Sequence, residues 1–335
     1  MPDNHDPIAL FRRSASLWPE REALRVEDTS WTYARIDHWS DAIANSLITA
    51  GASNERIAII AHKNASTYAA ILGILKAGCA YLPLHPEGPA ARWERMFAIS
   101  GARFIFGEPS SIQGLTPLHI PGPDATGLTP VHRDGDEAYV LFTSGSTGGP
   151  KGVSVSRANV AAYLGHLLST YDFNEHDRFT QFFALTFDLS VHDLFVCWGA
   201  GGCLCVPSDD NALRTAGFVR DEHISVWFSV PSLPALMDRM RGLKPDALPT
   251  IRLAFFCGEG LPYDTARAFA AAAPNARLVN LYGPTEATIA ITSHELRHQQ
   301  LERPGLVPIG QVFPGHKAII DNEELCVAGP QISNG

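Results

Sequence analysis

Residues 138–152 read Ala-Tyr-Val-Leu-Phe-Thr-Ser-Gly-Ser-Thr-Gly-Gly-Pro-Lys-Gly, an apolar strand that runs into a loop of glycines, hydroxyls and one lysine. That composition suits phosphate: glycines allow close backbone approach, while amide N–H groups, hydroxyls and an ammonium oppose negative charge. The loop departs from the Walker pattern, because Pro150 stands where the second glycine is required. On either side, strand-like apolar runs alternate with helical patterns, which indicates an α/β fold. Residues 56–61, 103–106 and 138–143 read as one series of strands, and 179–184, 224–229, 251–256 and 276–281 as a second. Helices are predicted over 66–76, 156–170, 212–220, 233–240 and 263–272, with Ser156 as an N-cap. Cys203-Leu-Cys205 alternates like one face of a strand, and Gly107–Asp136 reads as a surface connection. From Pro304 the character changes, and 318–320 with 325–327 reads as a hairpin around Asp321-Asn322. The expected division is an α/β core over 1–303 and the start of a small β-rich portion over 304–335.

The chain has 335 residues, 45% hydrophobic and 18% charged, with a net charge of −9. The acidic balance argues against general nucleic-acid binding but permits a small anionic ligand held by local groups. No apolar run is long enough to span a membrane: Tyr68–Leu75 is short and ends at Lys76. The N-terminus lacks the basic start and apolar core of a secretory signal. The six cysteines show no CxxC spacing and read as buried thiols of a reducing cytoplasm.

Thr143-Ser-Gly-Ser-Thr-Gly-Gly-Pro-Lys151-Gly152 resembles the nucleotide-binding signature of the adenylate-forming superfamily. This superfamily includes amino-acid adenylation domains of nonribosomal peptide synthesis, acyl-CoA synthetases and luciferases. Further motifs follow in the order it requires. Phe187-Asp188-Leu-Ser-Val-His192-Asp193 resembles the segment that enters the acyl pocket, and Phe256-Cys-Gly258-Glu259-Gly260 the loop beside adenine. Asn280-Leu-Tyr282-Gly283-Pro284-Thr285-Glu286 resembles the adenine- and magnesium-binding motif. Weaker matches lie at Trp31-Thr-Tyr33 and Leu75–Pro86, where His85 replaces the family's usual acidic residue.

The resemblance implies the large N-terminal subdomain of the adenylate-forming fold, in layered α/β sheets, with ATP as substrate and Mg²⁺ as cofactor. It places nucleotide contacts at Thr143, Ser144, Gly145, Ser146, Thr147, Gly148, Lys151, Gly258, Glu259, Gly260, Asn280, Leu281, Tyr282, Gly283 and Thr285. Catalytic roles fall to Thr285, Glu286 and Lys151, with Glu286 as the magnesium ligand. Physically, Tyr282 offers a ring for adenine to stack on, Asn280 an amide for the purine edge, and Glu286 a hard oxygen ligand.

Asp188 decides the substrate class, because a carboxylate among Phe187, Leu189 and Val191 is costly to bury without a cation. In the family an aspartate here pairs with the substrate's ammonium, which points to an amino acid. The pocket positions carried over are Asp188, Leu189, His192, Ser229, Phe255, Cys257, Leu281, Ile289 and Ala290. They predict a small-to-medium amino acid, with His192 shortening the pocket or bonding a polar side chain. The implied reaction forms aminoacyl-AMP and pyrophosphate, followed by transfer to the phosphopantetheine thiol of a carrier protein. Two alternatives stay open: an acyl- or aryl-CoA ligase, and a non-catalytic nucleotide-binding or carrier-docking module.

His294-Glu295-Leu-Arg-His298 matches the HExxH zinc pattern, but it continues a β-like alternation where that chemistry needs a helix. It is read as coincidence. Glu324–Gly335 resembles the start of a family motif that normally continues. The expectation is therefore an N-terminal core, cut by engineering or ended early by its natural gene, without the hinge and mobile C-terminal domain that carries the catalytic lysine. Such a fragment is expected to bind substrate and turn over slowly.

Overall fold

The computed structural model describes residues 5–107, 114–126, 129–144, 149–208 and 212–333. Among these, two large sheets lie on either side of a shared helical layer. The first has six strands in the order Thr116–Leu118, Phe104–Phe106, Arg56–Ile60, Ala80–Leu84, Glu137–Ser144 and Pro150–Ser156. The second has nine, in the order Gln311–Val312, Thr292–Leu296, Arg277–Tyr282, Leu253–Phe256, Val226–Ser229, Arg178–Thr180, Cys203–Cys205, Glu22–Val26 and Thr29–Thr32. Most neighbouring strands are parallel, which aligns their carboxyl ends along one edge of each sheet.

The helices between the sheets explain why the core is large. Leu189–Ala200 is buried at every position, and Ala65–Lys76 at all but Ser66. A helix apolar all round must be covered on every side. One core joins these helices to the inner faces of both sheets, through Ile57, Tyr139 and Val155 on one and Phe228, Phe255 and Leu281 on the other. The outer faces have their own cores: Ala58, Leu82 and Val140 against Met96 and Phe97, and Trp227, Phe256 and Leu278 against Met237 and Phe269. The result is five layers, α/β/α/β/α.

Local chemistry sets the element ends. Ser156 caps the helix Arg157–Thr170 in a reciprocal capping box with Asn159. Gly310 has φ +88, and a Cβ there would lie 1.9 Å from the Ser293 carbonyl oxygen, so only glycine fits beside strand Thr292–Leu296. Two expectations are corrected. The 179–184 run is strand only over Arg178–Thr180, and the 107–136 connection contains a short strand, Thr116–Leu118. Within the segment after Pro304, Gln311–Val312 joins the nine-stranded sheet and Phe313 is buried in the main core. The hairpin Lys317–Asp321 with Glu324–Ala328 stands off it, its strands largely exposed. Five cysteines are buried as expected and Cys326 is exposed.

Lys76 ties the helix Ala65–Lys76 to a neighbouring helix, Tyr33–Thr49. Its side chain is fully enclosed, and Nζ donates to Asp37 Oδ1 at 2.6 Å, the Asp37 carbonyl at 2.9 Å and Asp41 Oδ1 at 2.9 Å. Removing one partner of a buried pair leaves the other charge uncompensated. Lys76→Ala is therefore expected to lose about 3–5 kcal/mol in denaturant unfolding. An unchanged unfolding midpoint would show that Asp41 finds another partner.

Candidate active site

The phosphate-loop motif lies where strand Glu137–Ser144 turns back antiparallel into Pro150–Ser156, with Thr143 paired to Lys151. Gly145, Ser146, Thr147 and Gly148 lie outside the described residues. Lys151 projects toward the second sheet, where its Nζ lies 3.4 Å from Glu286 Oε1. Both side chains are exposed, so this pair is a weak tie that a stronger ligand can displace. The two motifs, 135 residues apart in sequence, thus share one edge.

Beyond strand Arg277–Tyr282 the chain folds tightly. Tyr282 is 37% exposed at the strand tip, leaving its ring accessible. Gly283 is needed because a Cβ would approach Ala290 Cα to 2.6 Å. Pro284 leads into the 3₁₀ turn Thr285–Ala287. Thr288 and Ile289 follow with φ +55 and +72, conformations that β-branched residues adopt only under constraint. These turns bring Thr285 and the Ile289 N–H back toward Asp188.

Asp188 opens the helix Leu189–Ala200 and is only 8% exposed. Burial raises its pKa to about 6, although the nearby Thr285 hydroxyl and the Leu189 and Ile289 N–H dipoles oppose the rise. Its side chain makes no capping bond to the helix, and no salt bridge joins it to a cation among the described residues. Both structural explanations for this aspartate, a helix cap and an internal ion pair, are therefore absent. What remains is a buried anion without a countercharge.

His192 lies one helical turn along, on the same face. Its ring is fully buried, 4.2 Å from the Phe228 ring and 5.5 Å from Phe255. Burial holds its pKa down at about 3, so the imidazole is neutral. Nδ1 meets the Tyr163 hydroxyl at 2.6 Å, and Nε2 has no partner among the described residues. Cys257 completes this wall as a neutral thiol, pushed up to about 12 chiefly by burial and secondarily by the Asp188 charge. Leu189, Phe255, Leu281, Ile289 and Ala290 belong to the same buried cluster.

Ser229 does not join them. Strand alternation places it with Trp227, whose Nε1 donates to its hydroxyl at 2.9 Å, while that hydroxyl donates to the Val230 carbonyl. Phe228 takes the inward place instead, a residue that the alternation of Val226–Ser229 could have indicated. Tyr163 was also missed, and no local pattern pointed to it. Glu259 is engaged on the helix Ser232–Arg239, accepting from the Ser232 N–H at 3.0 Å and hydroxyl at 3.1 Å. Gly258, with φ +87, carries the chain past Leu189, and Gly260 follows it at the tip of strand Leu253–Phe256. Asn280 donates its amide to the Pro308 carbonyl at 3.0 Å, which leaves Oδ1 buried without a partner. His294 lies on strand Thr292–Leu296, with Glu295 bound to Arg277 at 2.9 Å, so the zinc pattern has no helix to present it. His85 accepts the Glu87 N–H on Nδ1 at 3.2 Å, the turn-closing role an aspartate carboxylate commonly fills.

Comparison with known proteins agrees with this geometry. The family model for AMP-binding enzymes matches residues 11–335. A D-alanine–D-alanyl carrier protein ligase of Bacillus velezensis is 30% identical, the match covering 98% of this chain and 70% of that protein. The AMPPNP-bound nonribosomal peptide synthetase FmoA3 superposes with a TM-score of 0.89 at 26% identity, over 99% of this chain and 38% of that one. The N-terminal subdomain of Klebsiella oxytoca NpsA shares the fold, with a TM-score of 0.83 at 20% identity over 98% of this chain and 88% of that one. No helix among the described residues is long and apolar enough to cross a membrane. With its strand-tip motifs meeting at one edge and this match over nearly its whole length, the chain belongs to the AMP-binding enzyme family.

Proposed function

We propose that this chain binds ATP and an amino acid and joins them as aminoacyl-AMP with release of pyrophosphate, for transfer to a carrier protein's phosphopantetheine thiol. The carrying observation is Asp188, a buried carboxylate with no internal cation, which an α-ammonium group would neutralise. The D-alanyl carrier ligase supports an amino-acid substrate and a carrier partner, and the AMPPNP complex of FmoA3 supports ATP. An amine-free acid, as a CoA ligase would take, leaves Asp188 without a purpose.

The chemistry needs positioning and charge neutralisation rather than a covalent enzyme intermediate. A carboxylate oxygen attacks the α-phosphorus, and the bond to the bridging oxygen breaks as pyrophosphate leaves. An ammonium at Asp188 takes over the role of the Thr285 hydroxyl there, freeing that hydroxyl for an α-phosphate oxygen. Lys151 neutralises the outer phosphates. Glu286, half-exposed and only loosely paired, fits a hard cation, and bound magnesium would spread the phosphate charge. Tyr282 stacks on adenine, and the orphaned Asn280 Oδ1 accepts from its exocyclic amine.

The side-chain preference follows from a count of protons. If the Tyr163 hydroxyl donates to Nδ1 of His192, only the Nε2–H is left unpaired. The opposite arrangement strands the Tyr163 proton as well as the Nε2 lone pair. The pocket therefore offers one N–H, which favours a small side chain ending in an oxygen acceptor.

A thermal-shift screen of amino acids with Mg-ATP is expected to single out a small set of stabilising ligands, and no stabilisation by any of them would refute the assignment. Threonine should bind more tightly than its isostere valine, its hydroxyl pairing with Nε2 of His192. Asp188→Asn should weaken the amino acid about a hundredfold. For the parent chain, calorimetry should show affinity falling as pH drops below about 6, when Asp188 takes up a proton. The same substitution should raise unfolding stability by about 2–3 kcal/mol at pH 7.5, a gain that disappears below about pH 4. The sign follows because folding raises this carboxyl's pKa, so its ionisation opposes the folded state. Glu286→Gln should weaken ATP about tenfold in magnesium and leave magnesium-free AMP binding unchanged.

A further inference from the structure

Thr288 and Ile289 are fully buried in consecutive left-handed conformations, which side chains branched at Cβ resist. Surrounding contacts must hold such a turn, and here they come from the far end of the described chain. Gln331 is completely buried, and its Nε2 faces the carbonyl oxygens of Ala290 at 2.7 Å, Thr288 at 3.1 Å and Ala287 at 3.3 Å. In return, Thr288 Oγ1 donates to the Gln331 carbonyl at 2.6 Å. The Ser333 N–H donates to the Glu286 carbonyl at 2.8 Å. This segment is itself anchored: Asn159 Nδ2 donates to the carbonyls of Pro330 at 2.7 Å and Ile332 at 3.1 Å. Asn159 in turn is fixed by its capping box with Ser156.

We propose that Gln331 is a positioning residue of the amino-acid site: its carboxamide holds the Thr288–Ile289 turn so that the Ile289 N–H points at Asp188. The role rests on reading Asp188 as the ammonium anchor. Three of the four consecutive carbonyls of residues 287–290 converge on one amide, more than its two hydrogens can satisfy singly, and this sets the orientation of the peptides between them. Ile289 is the only residue of the turn whose carbonyl escapes this amide, and its N–H is among the dipoles that favour the ionised carboxylate. Gln331 touches neither ligand. It acts by fixing a donor that would otherwise relax away from Asp188.

The other groups facing Asp188 are the Thr285 hydroxyl, the Leu189 N–H, the Cys257 thiol and the phenols of Tyr81, Tyr139 and Tyr163, with His192 one turn along its own helix. The phenols are held well above their ordinary range, the thiol is neutral and the imidazole uncharged, so Asp188 alone titrates near neutrality. Loss of the Ile289 donor disfavours the ionised carboxylate and must move its titration upward.

The test is a carboxyl-carbon NMR titration of the free chain labelled in aspartate, with the Asp188 resonance assigned by its absence in Asp188→Asn. In Gln331→Met the Asp188 midpoint should rise by about one pH unit, the shift that follows from losing one hydrogen bond to a charged group. Thr288→Val, which removes a single bond of the clamp, should shift it less in the same direction and serves if Gln331→Met fails to fold. On a Thr288→Gly background, where the left-handed turn carries less strain, Gln331→Met should shift it less than on the parent. A midpoint unmoved in folded variants overturns the proposal. Calorimetry supplies the second readout, using AMP and the sulfamoyladenosine conjugate of the most stabilising amino acid. Gln331→Met should weaken the conjugate and leave AMP unchanged, whereas equal losses for both would mark a structural role only. If no amino acid binds the parent chain, the assignment of substrate fails while the titration still decides whether Gln331 governs Asp188.

Discussion

A carboxylate buried without a countercharge is the constraint around which this structure is arranged. Asp188 lies at the start of a helix that is covered on all sides, so its charge cannot reach water without disrupting the layer between the sheets. The protein answers with dipoles alone: a hydroxyl from Thr285 and backbone N–H groups from Leu189 and Ile289. These lower the cost of ionisation but do not remove it, since the carboxyl still titrates near 6. Such a group is poorly placed for stability and well placed to receive a cation. The free energy withheld from folding becomes available to binding.

The layering makes this possible. Parallel strands in both sheets bring loops to their carboxyl ends, and the shared helical layer brings the two edges together. Lys151 from one sheet meets Glu286 beyond the other. Asp188, carried by the helix between them, meets Thr285 two residues past Gly283. The motif residues therefore come from different layers, and a shift of one layer would separate them. The buried Lys76 cluster and the capping box at Ser156 set the position of helices in that shared layer.

Much of this was legible in the sequence because its signals are local. Ser156 marked a helix start that the structure places at Arg157, and Tyr263–Ala272 matched to the residue. The motifs at 143–152, 188 and 280–286 were visible because their residue types and spacing carry the resemblance to the family. Less legible was whatever depends on which way a side chain turns. Ser229 carried over as a pocket residue, yet strand alternation aims it at Trp227, and Phe228 occupies the inner face. The helix Leu189–Ala200 is apolar all round, so no periodicity separated it from a strand. Tyr163 and Gln331 could not be found at all, since their partners lie 29 and about 40 residues away and no spacing rule joins them.

Two left-handed β-branched residues and two orphaned polar atoms lie together around the candidate site. Left-handed Thr288 and Ile289, the unpartnered Nε2 of His192 and the unpartnered Oδ1 of Asn280 surround the segment 280–290 and the helix start at Asp188. In a part of the protein that served folding alone, each would cost stability with nothing in return. Their coincidence with the adenylation motifs indicates that the local rules of folding yield where ligands complete the structure. Asn280 and His192 also lie on opposite faces of the nine-stranded sheet, one toward Pro308 and the other toward Phe228. Beyond Tyr282, Gly283 lets the chain turn closely enough to bring Thr285 to Asp188.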